Sequence, residues 1–146
     1  DGWWFLLVEK LIGRHRAIKI DENVWRQYAK TEGNLFKKFF NFEKKPKLSL
    51  EEIAKIMLLT PALGNFGGKA ELEKNKCYLS ITDCKAQKAR IKYGQGEFPC
   101  KSVGIVYAES MGQILNSDTK CKCIICPPDD HPDDLWCKWE ISQNED

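Results

Sequence analysis

The sequence has no run of the roughly 18–20 apolar residues that a membrane-spanning helix needs. Its longest apolar stretch, Trp3 to Val8, is stopped by Glu9 and Lys10. No basic-then-apolar signal pattern opens it. The chain starts on Asp1-Gly2-Trp3-Trp4, as though into a helix already under way, so that lack carries little weight. A phosphate-binding glycine loop, a dinucleotide fingerprint and a Ser–His–Asp arrangement are all missing, and Gly67-Gly68 reads as a turn. There are no internal repeats, low-complexity tracts or linkers. Net charge is nearly absent too: 23 basic against 21 acidic residues leave +2. That balance removes any general drive toward nucleic acid or a membrane surface.

What remains is ordinary in bulk, with 42% hydrophobic and 30% charged residues in 146. The length predicts a single domain, 1–146, able to bury a core without disulfide staples. Residues 1–12 place Trp3, Trp4, Leu7 and Leu11 at helical spacing, and Gly13 ends the run. A second helix is expected from Asp21, with Ile20 and Trp25 as a hydrophobic staple and Glu32-Gly33 interrupting its apolar stripe. A third carries a capping box, Ser49 with Glu52, and a staple, Leu48 with Ile53. Alternation from Ala70 to Asp83, with Asn75 at a tight turn, predicts a β-hairpin. A short basic helix over Lys85–Tyr93 follows. A longer one over about 99–115 then turns Cys100, Val103, Tyr107, Met111 and Ile114 inward. Strands near 119–126 and 135–142 flank a proline-rich loop. The expected fold is α+β, with N-terminal helices packed on a four-stranded antiparallel sheet.

The unusual feature is seven cysteines against only two histidines. The number is odd, so a closed disulfide framework would leave one thiol over. Nothing marks the chain as secreted, so a reducing, cytoplasmic setting is expected, where clustered cysteines more often serve metals or catalysis. Cys84, Cys100, Cys126 and Cys137 all fall at ends of predicted elements, which can converge at one edge of a sheet. Zinc takes four such ligands in a tetrahedron. A helix N-terminus favours the thiolate at Cys100, and Cys123-x-x-Cys126 has chelate spacing. One conflict stands. On a regular strand Cys126 points with Lys120 and Lys122, away from Cys121 and Cys123. Either a bulge or the twist at the Pro127 junction redirects it, or Cys123 takes its place. Cys77 and Cys121 read as small hydrophobes. Four thiolates suit an iron–sulfur cluster equally, which is the competing cofactor.

Four blocks carry a resemblance: Asp1-Gly2-Trp3-Trp4-Phe5-Leu6; Gly96-Glu97-Phe98-Pro99-Cys100-Lys101; Cys126-Pro127-Pro128-Asp129 with His131-Pro132; and Trp136-Cys137-Lys138-Trp139-Glu140. Across nearly the whole chain they resemble a family of small cysteine-containing proteins of anaerobic bacteria and archaea with no assigned function. More distantly the layout is similar to the 4-vinyl reductase type of small-molecule-binding domain, in which cysteines hold a structural zinc beneath an apolar pocket. That resemblance implies Cys100, Cys126 and Cys137 as ligands, with Cys84 in the place of an acidic residue, and a homodimer. The loop from Cys126 to Cys137 is longer here, which strains the assignment of Cys126. A looser similarity to L-2-amino-thiazoline-4-carboxylate hydrolase-like proteins keeps an enzyme in view.

The leading expectation is therefore a zinc-containing domain that binds a small apolar molecule between walls formed by Trp4, Trp25, Tyr28, Phe36, Phe39 and Tyr107. Against this stands the plain reading that aromatic stripes at helical spacing are core. A second reading makes Cys100 the nucleophile of a hydrolase with His131 as base. His131 lies among aspartates in a polar loop expected to be exposed, and it is also a possible metal ligand. A third is an accessory subunit, with the basic faces Lys85, Lys88, Arg90, Lys92 and Lys37, Lys38, Lys44, Lys45 either solvated or contacting an acidic partner.

Overall fold

Gly13 decides how the chain begins. Its φ of 84° lies in the left-handed region that favours glycine, and it separates α1 (Trp3–Ile12) from α2 (Arg14–Phe39) with a single residue. The computed structural model describes residues 2–143. The second helix thus starts seven residues before Asp21, the expected cap. Asp21 lies two turns inside α2 and is buried, so neither the cap nor the Ile20–Trp25 staple forms. The reason is local: residues 14–20 contain no helix breaker, and Ala17 is buried on the same run. Glu32-Gly33 does not interrupt α2 either. Glu32 is satisfied sideways by the Tyr107 hydroxyl, at 2.6 Å. Gly33 is where α6 (Lys101–Leu115) passes closest, since a Cβ there would lie 2.9 Å from Ile114 Cγ2.

Helix α3 (Leu50–Leu59) begins as predicted. The Ser49 hydroxyl accepts from the Glu52 amide, and the Glu52 carboxylate accepts from the Ser49 amide at 2.9 Å. A single turn, α4 (Pro61–Gly64), follows at the proline that ends it. The predicted hairpin is β1 (Gly68–Glu73) and β2 (Lys76–Ile81), turning through Lys74 and Asn75. Then come α5 (Lys85–Lys92), α6, β3 (Thr119–Ile125) and β4 (Cys137–Gln143). Pro99 stays outside α6, whose N-cap is Cys100. The sheet is antiparallel throughout, in the order β1-β2-β4-β3. The fold is α+β as the pattern predicts.

One face of the sheet carries Cys77 and Leu79 from β2 and Cys137, Trp139 and Ile141 from β4, all buried. They meet Ile53, Ile56 and Met57 of α3, and Met111 and Leu115 of α6, in one hydrophobic cluster. Helix α6 lies on this face with Gly104 against the indole of Trp139, where an added Cβ would come within 2.5 Å of Cζ2. Its buried side is Val103, Tyr107, Ala108, Met111 and Leu115, while the expected Ile114 is only half-buried. Helix α1 turns Trp3, Trp4, Leu7 and Leu11 outward and buries Phe5.

Gly104→Ala gains up to about 1 kcal/mol of helix propensity. The buried Trp139 ring cannot swing aside, so a net loss of about 1–3 kcal/mol is expected from overpacking, read as a lower urea midpoint. An unchanged midpoint would show that the helix can lift off the ring at no cost.

Candidate functional site

Between α1, α2, α5, α6 and the sheet lies a cavity of about 400 Å³. Its wall is mostly apolar: Phe5 and Leu6 from α1, Trp25 from α2, Phe66, Phe98, and Val103 and Tyr107 from α6 over Leu79 and Trp139 of the sheet. Helix α1 closes one side. Phe5 meets Phe98 edge-on at 4.9 Å, and Glu9 accepts from Arg90 at 3.1 Å. Arg90 is not part of a solvated basic face; it is buried, with Phe5 and Phe98 beside its guanidinium.

Cys84, Cys100, Cys126 and Cys137 all line this cavity. Each is placed by the end of an element. Cys84 is the N-cap of α5 and Cys100 the N-cap of α6. Cys126 follows the last residue of β3, and Cys137 opens β4 opposite Ile81 of β2. The strand-parity conflict is removed by a bulge. Cys123 pairs with Trp139 but Ile125 pairs with Lys138, so Ile124 is the extra residue. The shift carries Cys126 to the level of Cys137 on the buried face, and Cys126 is fully buried.

The sulfurs touch. The Cys126 thiol hydrogen-bonds to Cys100 and to Cys137, and Cys84 lies close enough to feel the charge of both. These hydrogen bonds, with burial, push the Cys126 thiol far up, while the same bond pulls Cys137 below the ordinary thiol range. Burial raises Cys84 to about 11 against the opposing amides of Gln87 and Ala86. A residue that the sequence pattern does not reveal orders this corner. The buried Gln87 side chain donates to the Phe98 carbonyl at 2.8 Å and to Cys100 Sγ at 2.9 Å, and accepts from the Phe98 amide at 2.8 Å. Among the described residues, no three His, Cys, Asp or Glu side chains stand ready-made as a metal cage.

The other expected residues divide. Trp25 and Tyr107 line the cavity, with their rings edge-to-face at 5.3 Å. Trp4, Tyr28 and Phe39 are exposed, and Phe36 stacks on Phe40 at the far end of α2. None of these four is in the wall. The helical stripe wraps further round α2 than its contact with α6 reaches, and Phe5, Phe66, Phe98 and Trp139 serve instead. His131 is not the exposed loop residue expected. Its ring lies 5.0 Å from Trp136, it bonds the Pro132 carbonyl, and it pairs with Glu97 at 3.4 Å. Those two acceptors hold its pKa above the ordinary value, and Cys100 is not among its described contacts. Cys77 and Cys121 sit in apolar surroundings that raise their thiols to about 11 and about 12, as small hydrophobes should.

Over residues 1–143 the sequence matches DUF6125, a family of unknown function. The chain belongs to that family. Neither a curated protein nor a solved structure matches it. Among the described residues no helix is long and apolar enough to cross a membrane.

One wall residue makes stability depend on pH. Burial raises the Asp21 carboxyl from 3.8 to about 6, and the N-terminal positive charge and a hydrogen bond from Trp25 only partly oppose it. The folded state therefore binds this proton more tightly than the unfolded chain, and stability falls as pH rises from about 4 to about 6. Asp21→Asn should abolish that fall and stabilise the protein at pH 7.5 by on the order of 2–3 kcal/mol. Urea unfolding of both proteins at pH 4.5 and 7.5 measures it; a gain that is the same at both pH values would contradict the assignment.

Proposed function

We propose that the domain binds a small apolar molecule in the α1–α6 cavity, above a zinc ion held by Cys84, Cys100, Cys126 and Cys137. The observation that supports this reading is the gathering of four thiols from four separate element ends in the wall of one apolar cavity. Its volume is within the range of small-molecule sites. The donor set fits the metal. In a tetrahedron with bonds of about 2.3 Å, neighbouring sulfurs stand about 3.8 Å apart, and Cys126 already interacts with both Cys100 and Cys137. Zinc would replace the thiol protons on binding. A single ion needs less room than an iron–sulfur cluster, which is the lesser reading. Such a centre would tie both strands to both helices and make the cavity floor rigid, as a sensing domain requires.

The proposal includes a homodimer, for which α2 offers a face. Ile20, Val24, Leu35 and Phe39 are exposed along one side, and their spacing is symmetric about the Ala29–Lys30 peptide. A second copy lying antiparallel would set Ile20 against Phe39 of the partner subunit and Val24 against Leu35 of the partner subunit. Such a self-complementary patch is what a two-fold interface needs. Leu35→Glu should halve the mass seen by light scattering, and a wild-type monomer at tens of micromolar would rule the face out.

Protein purified without oxygen should carry about one zinc per chain. Cys126→Ser should lose it, with a melting temperature lower by roughly 5–10 °C. Cys100→Ser should do the same; a Cys100 variant that keeps both metal and stability would point to cysteine chemistry instead. Nile red, neutral and apolar, should bind with a blue-shifted emission, and no shift would argue against an apolar ligand.

A further inference from the structure

The cavity wall contains one charged group that neither the thiols nor the fold accounts for. Asp21 is 1% exposed and sits in that wall. Its Oδ1 has no hydrogen-bond partner among the described residues, and the indole of Trp25 supplies the carboxyl's one side-chain hydrogen bond there. The other shielded acids of the helical layer are served differently. Glu9 has Arg14 and Arg90, Glu22 has Lys19, and Glu32 has the hydroxyls of Tyr107 and Tyr28. No described basic side chain is paired with Asp21. A carboxylate buried without a partner costs several kcal/mol, and an apolar residue of similar size would remove that cost.

We propose that the cavity's ligand is an amphipathic amine, an apolar body carrying one protonated nitrogen that is set against Asp21. This rests on the reading of the cavity as a small-molecule site and specifies the chemistry of what fills it. The apolar rings receive the body, and the ammonium donates to the carboxylate oxygen left without a partner. In a wall of so few polar groups that single charge-assisted contact dominates selection. Arg90, whose Nε also lacks a partner, is the natural competitor, since it would favour an anion. Its Nη1 already donates to Glu9 at 3.1 Å, a carboxylate it shares with Arg14, whereas no described basic side chain meets Asp21.

The experiment is a calorimetric titration of n-octylamine, n-octanol and n-octanoate into the full chain at pH 7.5, below their micellar concentrations. The three share an apolar chain and differ only in the charge of the head. Octylamine should bind more tightly than octanol by about ten-fold or more, the scale of a hydrogen bond to a charged group, with octanoate weakest. Asp21→Asn, expected to fold at least as well as the wild type, should bring octylamine down to the level of octanol and leave octanol unchanged. Equal binding of octylamine and octanol, tighter binding of octanoate, or an amine preference that survives in Asp21→Asn would each overturn the assignment while leaving the cavity's apolar function intact. If none of the three binds the wild type, the cavity reading falls and this inference with it.

Discussion

The interaction of Cys126 with Cys100 and Cys137 ties the start of α6 to the ends of two paired strands. Cys100 begins α6, Cys137 begins β4, and Cys126 ends β3. Their meeting sets how the start of α6 sits on the edge of the sheet, and with it the depth of the space that α1 and α5 close over. Gln87 holds the arrangement from outside by engaging Cys100 Sγ and both polar groups of the Phe98 peptide unit. A buried side chain held by three hydrogen bonds is a rigid part, and this one carries the loop between α5 and α6 onto the cavity.

The cavity follows from close packing elsewhere. Where α6 crosses α2 and the sheet, glycines let backbone and side chain approach: Gly33 under Ile114, Gly104 under Trp139, Gly112 under Thr119. That end is filled. At the other end α1 leaves α2 at Gly13 and leans on α5 through Phe5, Phe98 and the Glu9–Arg90 pair. Aromatic rings too large to interdigitate there leave open space. Thiols and one unsatisfied carboxylate line a space that is otherwise apolar. A ligand that brought both apolar surface and a donor would relieve the burial cost that folding alone leaves in place.

Much of the candidate site was legible as residue types at element ends. Cys84, Cys100, Cys126 and Cys137 stand out because each lies where a predicted helix or strand begins or stops, and such ends gather at sheet edges. What could not be read was the bulge at Ile124 that turns Cys126 inward, because one extra strand residue leaves no mark in a run of alternating cysteine, lysine and isoleucine. Nor was Asp21 legible as a wall residue. An aspartate ahead of an apolar run looks like a cap, and only the continuation of α2 back to Gly13 buries it. Gln87 carried no signal at all, since its partners are a carbonyl and an amide eleven residues away and a sulfur thirteen away.

The α+β class, the capping box at Ser49, the hairpin at Asn75 and the two C-terminal strands were determined by the sequence itself, because capping, turn chemistry and period-2 alternation act over a few neighbouring residues. The extent of α2, the strand order β1-β2-β4-β3, and which aromatics face the cavity were decided only by tertiary structure. Helix periodicity says which residues share a side but not which side meets a neighbour. That depends on where α6 and the sheet come to lie, which is why Trp25 and Tyr107 face inward while Tyr28 and Phe39 are left on the surface.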